Sequence, residues 1–344
     1  MRILLIGGNG FIGSPLTREL LEGGHATAIL HRGGDRAAQH ANVRYIHADR
    51  NNLSACGSEV REFAPDVVID LILSSGEQAR QLMEFARGIT PRVVALSSQD
   101  VYRAWGVLKR IEPGEVEPLP ITEKSPLRST RHLYAPEALR ALQGIFGWVN
   151  EAYDKIAVEQ FIMSTPHVAG TVLRLPMIYG VGDRLNRFFP LLKRIADGRR
   201  VILLAEDFAA WRAPRGYVDN VAHAIALAAL DDRAGGRIYN ICEEPCLPEL
   251  EWQKRIARQI NWTGEFVVLP VSRTPAHLRF PENAAQHIVV SSDSIRKELG
   301  YRDIVDLDEG IRRTVAWEQA HPPATLDPQQ FDYAAEDQAR AGAA

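Results

Sequence analysis

Residues 3–13 read ILLIGGNGFIG, an apolar run that passes without interruption into a turn rich in glycine, and a helical pattern follows at once. Glycine tolerates positive φ and lets the backbone touch a ligand, so free N–H groups at the start of the helix can point at an anion. The spacing Gly7-x-x-Gly10-x-x-Gly13 differs from the two-and-three spacing of the dinucleotide fingerprint of long-chain dehydrogenases. Three glycines could also form a plain tight turn, but strand, glycines and helix in this order predict a variant pyrophosphate loop for a nucleotide cofactor.

The composition is that of an ordinary soluble protein. The 344 residues are 46% hydrophobic and 24% charged, with a formal net charge of −3, which provides no broad basic field for nucleic acid. We find no secretory leader pattern and no run of about 20 apolar residues. Three cysteines cannot form a closed disulfide set or a zinc site. We therefore expect a cytoplasmic protein with reduced thiols, no bound metal and no membrane contact, for which nucleic acid is an unlikely partner.

The first 100 residues alternate short β-branched runs with helical stretches. Nearly continuous apolar character is typical of parallel strands that are covered by helices on both faces. The predicted fold is therefore α/β, a Rossmann-type doubly wound parallel sheet. The predicted strands are Ile3–Ile6, Ala26–Leu30, Val43–Ile46, Val67–Leu71, Val93–Leu96 and, after a break, Thr171–Leu175.

Three regions follow from the remaining pattern. Residues 1–180 are predicted to form the dinucleotide-binding domain, with a proline-rich loop insertion at about 103–148 and a helix from Glu151 to Phe161. Residues 181–322 are predicted to form mainly a smaller C-terminal substrate lobe that partly returns to the first domain. Residues 323–344 have little periodicity, and we expect a loosely ordered tail.

Four segments, in order and at compatible distances, carry a family resemblance over residues 1 to about 320. Together they resemble the extended, or atypical, short-chain dehydrogenase/reductase family, which contains NAD(P)-dependent epimerases and dehydratases. The segments are Gly7–Gly13 with Phe11-Ile12 before the last glycine, Leu96–Tyr102, Leu173–Asp183 and Arg215–Ala222.

The resemblance implies where a cofactor would bind. In this family an acidic residue at the end of the second strand accepts hydrogen bonds from the adenosine ribose hydroxyls. Here that strand ends in Leu30-His31-Arg32. Arg32 can clamp a 2′-phosphate, with His31 as a second donor, so NADP is favoured over NAD. Arg32 could instead be an ordinary surface residue. Asp49 resembles the family's adenine-contacting acid, but it could instead be a helix N-cap or a turn residue. The full set that the resemblance implies is Gly7, Asn9, Gly10, Phe11, Ile12, Gly13, His31, Arg32, Asp49, Leu71, Lys155, Pro176 and Ile178.

The catalytic pattern of the family is only partly present. Its members place a tyrosine four residues before a lysine on one helix, with a serine at the end of an earlier strand. Lys155 and Ser98 resemble the lysine and the serine, but Glu151 stands four residues before Lys155, and the nearest tyrosine is Tyr153. On a continuous helix Tyr153 would lie about 200° around the axis from Lys155.

Three interpretations of this departure stay open. Glu151 could replace tyrosine as the acid/base group, with its pKa raised by burial beside the cofactor. Glu151 and Lys155 could instead form a plain ion pair along the helix. In the third interpretation the helix alignment slips and Tyr153 performs the proton transfer.

The same resemblance names Tyr102, Met177 and Arg215 as substrate contacts. Arg215 resembles an arginine that binds a nucleotide-sugar diphosphate, while Met177 stands where many relatives present an asparagine. The expected function is an NAD(P)-dependent oxidoreductase or epimerase/dehydratase acting on a small hydroxy or keto compound or a sugar derivative. The alternative is a catalytically reduced nucleotide-binding protein with a regulatory or RNA-associated role. The resemblance also implies a homodimer.

Overall fold

A seven-stranded parallel sheet forms the centre of the protein. The computed structural model describes residues 1–33 and 40–341, and its large sheet has the strand order β10-β6-β5-β4-β1-β2-β3. The order reverses between β1 and β4, which creates the crevice where doubly wound sheets bind ligands. The strands of this sheet are β1 (Arg2–Ile6), β2 (Ala26–His31), β3 (Val43–His47), β4 (Val67–Asp70), β5 (Arg92–Ser98), β6 (Ala169–Leu175) and β10 (Ile238–Asn240).

Helices cover both faces of this sheet, as its apolar strands require. The side chains of Ile3–Ile6 in β1 are fully buried, and alternate residues contribute to two separate hydrophobic clusters, one on each face. The predicted α/β doubly wound class is thus confirmed. One face carries α1 (Gly13–Glu22), α9 (Val218–Leu230) and α11 (Asp293–Leu299), and the other carries α2 (Gly57–Phe63), α3 (Gly76–Ala86) and α6 (Lys155–Ser164).

The region between β5 and α6 contains more regular structure than its prolines indicate. Two helices occur in it, α4 (Arg103–Leu108) and α5 (Pro136–Ile145). Pro136 lies in the first turn of α5, a position where the missing N–H of proline leaves no hydrogen bond unmade. The prediction of a continuous loop over this region is therefore wrong at these two segments.

The remaining elements lie beyond the carboxyl end of the large sheet. Two small parallel pairs, β7 with β9 and β8 with β11, join helices that pack around a further hydrophobic cluster of aromatic and aliphatic residues. Strand β10 returns the chain to the edge of the large sheet beside β6. These elements are β7 (Met177–Tyr179), β8 (Val201–Ala205), β9 (Arg215–Tyr217), β11 (Glu265–Leu269), α7 (Phe189–Ala196), α8 (Glu206–Ala210), α10 (Glu249–Arg258) and α12 (Leu307–Ala320).

The segment after residue 322 is ordered where the structure describes it. A final helix, α13 (Tyr333–Ala341), buries Glu336 completely, and its carboxylate accepts two hydrogen bonds from Arg194 of α7, at 2.8 and 3.1 Å. The expectation of a loose tail is therefore wrong for this helix, because one buried ion pair fastens it to the fold. Residues 342–344 of the predicted tail lie outside the described part of the chain.

None of the helices within residues 1–33 and 40–341 combines the length and the apolar character that a membrane crossing requires.

Candidate active site

The glycine loop forms the floor of a cleft at the carboxyl end of β1. This glycine-loop cleft has a volume of about 910 Å³ and lies where the strand order reverses. Helix α1 begins at Gly13 with no side chain capping its first N–H groups, so its amino end can receive an anion. Seven of the residues predicted to bind cofactor line the cleft, namely Gly7, Asn9, Gly10, Phe11, Ile12, Gly13 and Leu71.

Close backbone packing explains why glycine occupies two positions of this loop. Gly7 has a φ of +88°, which L side chains rarely adopt. A Cβ on Gly13 would lie 2.5 Å from the carbonyl oxygen of Gly7 and 2.5 Å from the backbone of Gly8. Helix α1 therefore starts in direct contact with the loop, and its first turn lines the cleft. The Ser14 N–H already donates to the Gly10 carbonyl oxygen and Pro15 has no N–H, so the helix dipole is what α1 mainly offers to an anion. This geometry fits the pyrophosphate of a dinucleotide.

Basic side chains stand at the rim of the same cleft. Arg18 and Arg313 both line it, and each forms an ion pair with Asp219, at 3.4 and 3.5 Å respectively. The arginines are more than 40% exposed, whereas Asp219 is 18% exposed. Their positive charge adds to that of the helix terminus and favours a negatively charged ligand.

The residues predicted to read the adenosine end lie outside the lining of this cleft. Arg32 is exposed at the end of β2, and its carbonyl oxygen contacts Nε2 of His47 at 2.8 Å. His31 accepts a hydrogen bond from the Gly33 N–H on Nδ1, which leaves Nε2 as the donor available to a ligand. Asp49 caps a 3₁₀ turn by accepting from the Asn51 N–H at 2.8 Å, which is the turn role that the sequence had left open.

A cluster of hydroxyl groups surrounds Asp100 just beyond the end of β5. The hydroxyls of Tyr153 and Tyr134 both donate to Oδ2 of Asp100, at 2.8 and 3.2 Å. Ser98 accepts a hydrogen bond from the Asp100 N–H at 3.1 Å. Arg128 is fully buried and donates from Nε to the Asp100 carbonyl oxygen, which fixes the turn. We call Ser98, Asp100, Tyr134 and Tyr153 the Asp100 cluster.

Lys155 lies next to this cluster, at the first position of α6. Its ammonium group donates to the carbonyl oxygens of Leu73, at 2.5 Å, and Leu96, at 3.0 Å, and thus joins the ends of two neighbouring strands. Its Nζ is 5.8 Å from the ring centre of Tyr153 and 5.4 Å from that of Trp148, which lines the cleft. An ammonium group has three donors, so one remains for a ligand.

Burial sets the acidity of these groups. Burial, partly offset by the charge of Asp100, lowers the pKa of Lys155 to about 8. Burial and then the negative charge of Asp100 raise the pKa of Tyr153 well above its ordinary value, and the same causes raise the pKa of Tyr134. Both tyrosines therefore keep their protons at neutral pH.

Glu151 is not part of this arrangement. Helix α6 begins at Lys155, so the predicted helix from Glu151 to Phe161 is wrong at its start. Glu151 lies in an exposed turn before the helix, so the burial that the first interpretation requires is absent. The plain ion pair along the helix fails for the same reason, because Glu151 is not on the helix. Tyr153 also precedes the helix, and the 200° separation therefore does not apply.

Tyr102 is a core residue rather than a substrate contact. Its side chain is fully buried, its hydroxyl donates to Oδ1 of Asn240 at 2.6 Å, and Arg174 donates to it at 2.8 Å. Arg174 also forms a buried ion pair with Glu159 of α6. The predicted substrate role of Tyr102 is therefore wrong, because the hydroxyl is committed to a network that joins β5, β6 and β10.

Met177 and Arg215 lie together at a second cavity of about 570 Å³ between β7, α7, α8 and α10. Arg215 donates to Glu249, and its guanidinium lies 4.5 Å from the ring centre of Trp252. The sequence alone did not reveal Glu249, because a carboxylate at the start of a helix has an ordinary explanation. Pro176 and Ile178, predicted as cofactor contacts, are half-buried beside this region and do not line the glycine-loop cleft.

Two further members of the site were not predicted from the sequence. Asp100 has one signal in the sequence, an acidic residue two positions after Ser98 at the end of an apolar strand. Tyr134 has none, because it reaches Asp100 from 34 residues away through an irregular segment.

Comparison with known proteins identifies the family to which this chain belongs. A sequence model of the NAD dependent epimerase/dehydratase family matches residues 3–242, and the chain belongs to this family. The predicted family, and with it the expected class of NAD(P)-dependent oxidoreductase or epimerase/dehydratase, is thereby confirmed.

Relatives of known activity are distant. The 2′-dehydrokanamycin reductase of Streptomyces kanamyceticus is 25% identical over 83% of this chain and 74% of its own length. UDP-glucose 4-epimerase of Corynebacterium glutamicum is 27% identical, over 88% of this chain and 90% of its own. Among solved structures, dTDP-glucose 4,6-dehydratase of Bacillus anthracis in complex with NAD superposes with a TM-score of 0.66, at 16% identity over 93% of this chain and 97% of its own.

Proposed function

We propose that this protein is an NADP-dependent reductase of carbonyl compounds in which Tyr153 donates the proton. The observation that carries the proposal is the Asp100 cluster, in which the Tyr153 hydroxyl and Ser98 meet beside the Lys155 ammonium group. Lys155 is 5.4 Å from the ring centre of Trp148, which lines the glycine-loop cleft. When bound in the cleft, NADPH supplies the hydride that the carbonyl carbon gains.

The side chains of the cluster divide the remaining work. Ser98 donates a hydrogen bond to the substrate oxygen, and Tyr153 delivers its proton to that oxygen as negative charge develops there. The ammonium group of Lys155, 5.8 Å from the Tyr153 ring centre, stabilises the phenolate that forms.

Arg32 is the residue that we propose selects NADP over NAD. In the Arg32→Asp variant we expect NADPH binding to weaken by roughly 30- to 100-fold, because a charge-assisted bidentate contact worth about 2–3 kcal/mol is replaced by repulsion of the 2′-phosphate. NADH binding should change by less than about threefold. Titrations that follow nicotinamide fluorescence measure both constants. Equal losses for the two cofactors would refute the assignment, and failure of the wild type to bind either would refute the proposed function.

The rate of reduction should depend on the charge of Lys155. Since the pKa of Lys155 is lowered to about 8, its ammonium form predominates below pH 8 and is lost above it. We therefore expect kcat/KM to fall as the pH rises through about 8. The Lys155→Arg variant, whose guanidinium stays protonated, should lack this alkaline limb even if its absolute rate is lower. An unchanged limb in Lys155→Arg would assign the titration to another group.

Two further proposals concern the oligomeric state and the location of the protein. A homodimer is expected from the family, and the molar mass in solution from light scattering tests it. A cytoplasmic location is expected from the reduced cysteines, and cell fractionation tests it.

A further inference from the structure

The second cavity, which adjoins Met177 and Arg215, indicates the kind of substrate. Its walls include a group of three aromatic side chains, and we call it the aromatic cavity after them. The ring centres of Trp211 and Phe280 are 4.9 Å apart, and those of Phe208 and Phe280 are 5.3 Å apart. The indole N–H of Trp211 donates to the carbonyl oxygen of Gln286, so its polar atom is already used and its ring contributes apolar surface.

One apolar cluster contains side chains that line the cavity and a residue of helix α6. Met177, Trp211 and Phe280 pack together with Ile156, the residue that follows Lys155 in α6. Helix α6, which carries Lys155, therefore packs against the apolar side chains that line the cavity. The thioether of Met177 is at most a weak hydrogen-bond acceptor and adds another apolar contact.

Three of the four arginines that line the cavity, Arg187, Arg194 and Arg215, are already paired with carboxylates. Arg215 donates to Glu249, and both side chains are no more than 12% exposed. Arg187 lies 3.4 Å from Asp183 and donates to the Ile178 carbonyl oxygen.

Of the other two arginines, one is paired with a buried carboxylate and one is exposed. Arg194 pairs with the buried Glu336. Arg279 is exposed and donates to the Thr274 carbonyl oxygen. A diphosphate entering beside Arg215 would meet the negative charge of Glu249 at close range.

We infer that the aromatic cavity binds an uncharged, apolar chain or ring of the substrate, and that it does not bind a nucleotide diphosphate. This inference rests on the proposed reductase function and specifies its substrate class. The carbonyl group reacts at the Asp100 cluster, while the rest of the molecule is recognised by burial of its apolar surface.

A homologous series of ketones tests the inference. With NADPH as the reductant, kcat/KM for 2-butanone to 2-octanone should rise roughly three- to fourfold for each added methylene group. UDP at millimolar concentration should not raise the KM for 2-octanone. A flat series, or competition by UDP, would overturn the inference.

Variants of the cavity sharpen the test. Phe280→Ala removes one apolar side chain from the cavity wall, on a non-helical segment, and should flatten the rise of kcat/KM with chain length. Phe280→Leu, which keeps a large apolar side chain, should keep most of that rise. Glu249→Gln leaves Arg215 without a carboxylate partner and should increase UDP affinity about tenfold or more. Wild-type protein that binds UDP as tightly as Glu249→Gln would contradict the charge argument.

A binding measurement separates this inference from the proposed function. Quenching of tryptophan fluorescence reports 2-octanone or UDP binding to the protein saturated with NADP⁺, without any turnover. Binding of 2-octanone but not UDP, with no ketone reduced, would refute the reductase and support the cavity assignment. Ketone reduction without dependence on chain length would do the opposite.

Discussion

The Tyr153→Phe variant should reduce carbonyl compounds about 10²- to 10⁴-fold more slowly than the wild type while it binds NADPH with nearly unchanged affinity. The change removes the proton donor and its hydrogen bond to Asp100, and general acid catalysis by a positioned group contributes a factor of this size. The ring that packs 5.6 Å from Tyr134 is retained, so the fold should be preserved. Single-turnover absorbance at 340 nm measures the chemical step, and nicotinamide fluorescence measures binding.

Two matched substitutions control this experiment. Tyr134→Phe removes the other hydroxyl that donates to Asp100 and should cost much less, because Tyr134 lies farther along the chain from Lys155 and has the longer hydrogen bond. Glu151→Gln should leave the rate unchanged, because Glu151 is exposed outside the helix. Full activity in Tyr153→Phe, or loss of activity in Glu151→Gln, would return the proton transfer to Glu151.

The Gly13→Ala variant should lose both stability and cofactor affinity. Its added Cβ would lie 2.5 Å from the Gly7 carbonyl oxygen and 2.6 Å from that of Gly8, and neither backbone atom can move without opening the loop. We expect a loss of about 2–4 kcal/mol in the free energy of unfolding and at least a hundredfold weaker NADPH binding. Urea denaturation and fluorescence titration measure the two effects.

Gly10→Ala is the matched control for the same loop. A Cβ at Gly10 would meet only the Gly7 carbonyl oxygen, at 3.4 Å, which is an ordinary contact. The free energy of unfolding should therefore stay within about 1 kcal/mol of the wild type. If Gly10→Ala destabilised the protein as much as Gly13→Ala, the close approach of α1 to the loop would not be the cause.

The sheet and the glycine loop were predictable because local sequence determines them. Strands such as Ile3–Ile6 are buried on both faces and are therefore apolar throughout, and the glycines that follow permit backbone positions that other residues cannot occupy. Both signals lie within a few adjacent residues. The sequence therefore identified seven residues that line the cleft.

The catalytic arrangement was harder to predict because it depends on where one helix begins. Asp154 has an extended backbone and caps α6 by accepting from the Ala157 N–H, so the helix starts at Lys155. The side chain of Tyr153 can then turn toward Asp100. The spacing rule for residues on one helix pointed to Glu151 instead. Asp154, a residue type that often caps the start of a helix, was the local signal that could have corrected this prediction.

The buried pair of Glu336 and Arg194 restricts how this protein can be shortened or tagged. Arg194, 7% exposed at its side chain in the complete fold, lies on the wall of the aromatic cavity, and a chain cut after residue 322 would lose both its carboxylate partner and the segment that helps to bury it. An expression strategy that trims the C-terminal residues as dispensable would thus alter the substrate lobe itself. An affinity tag is better placed after the complete C-terminal helix than in exchange for it.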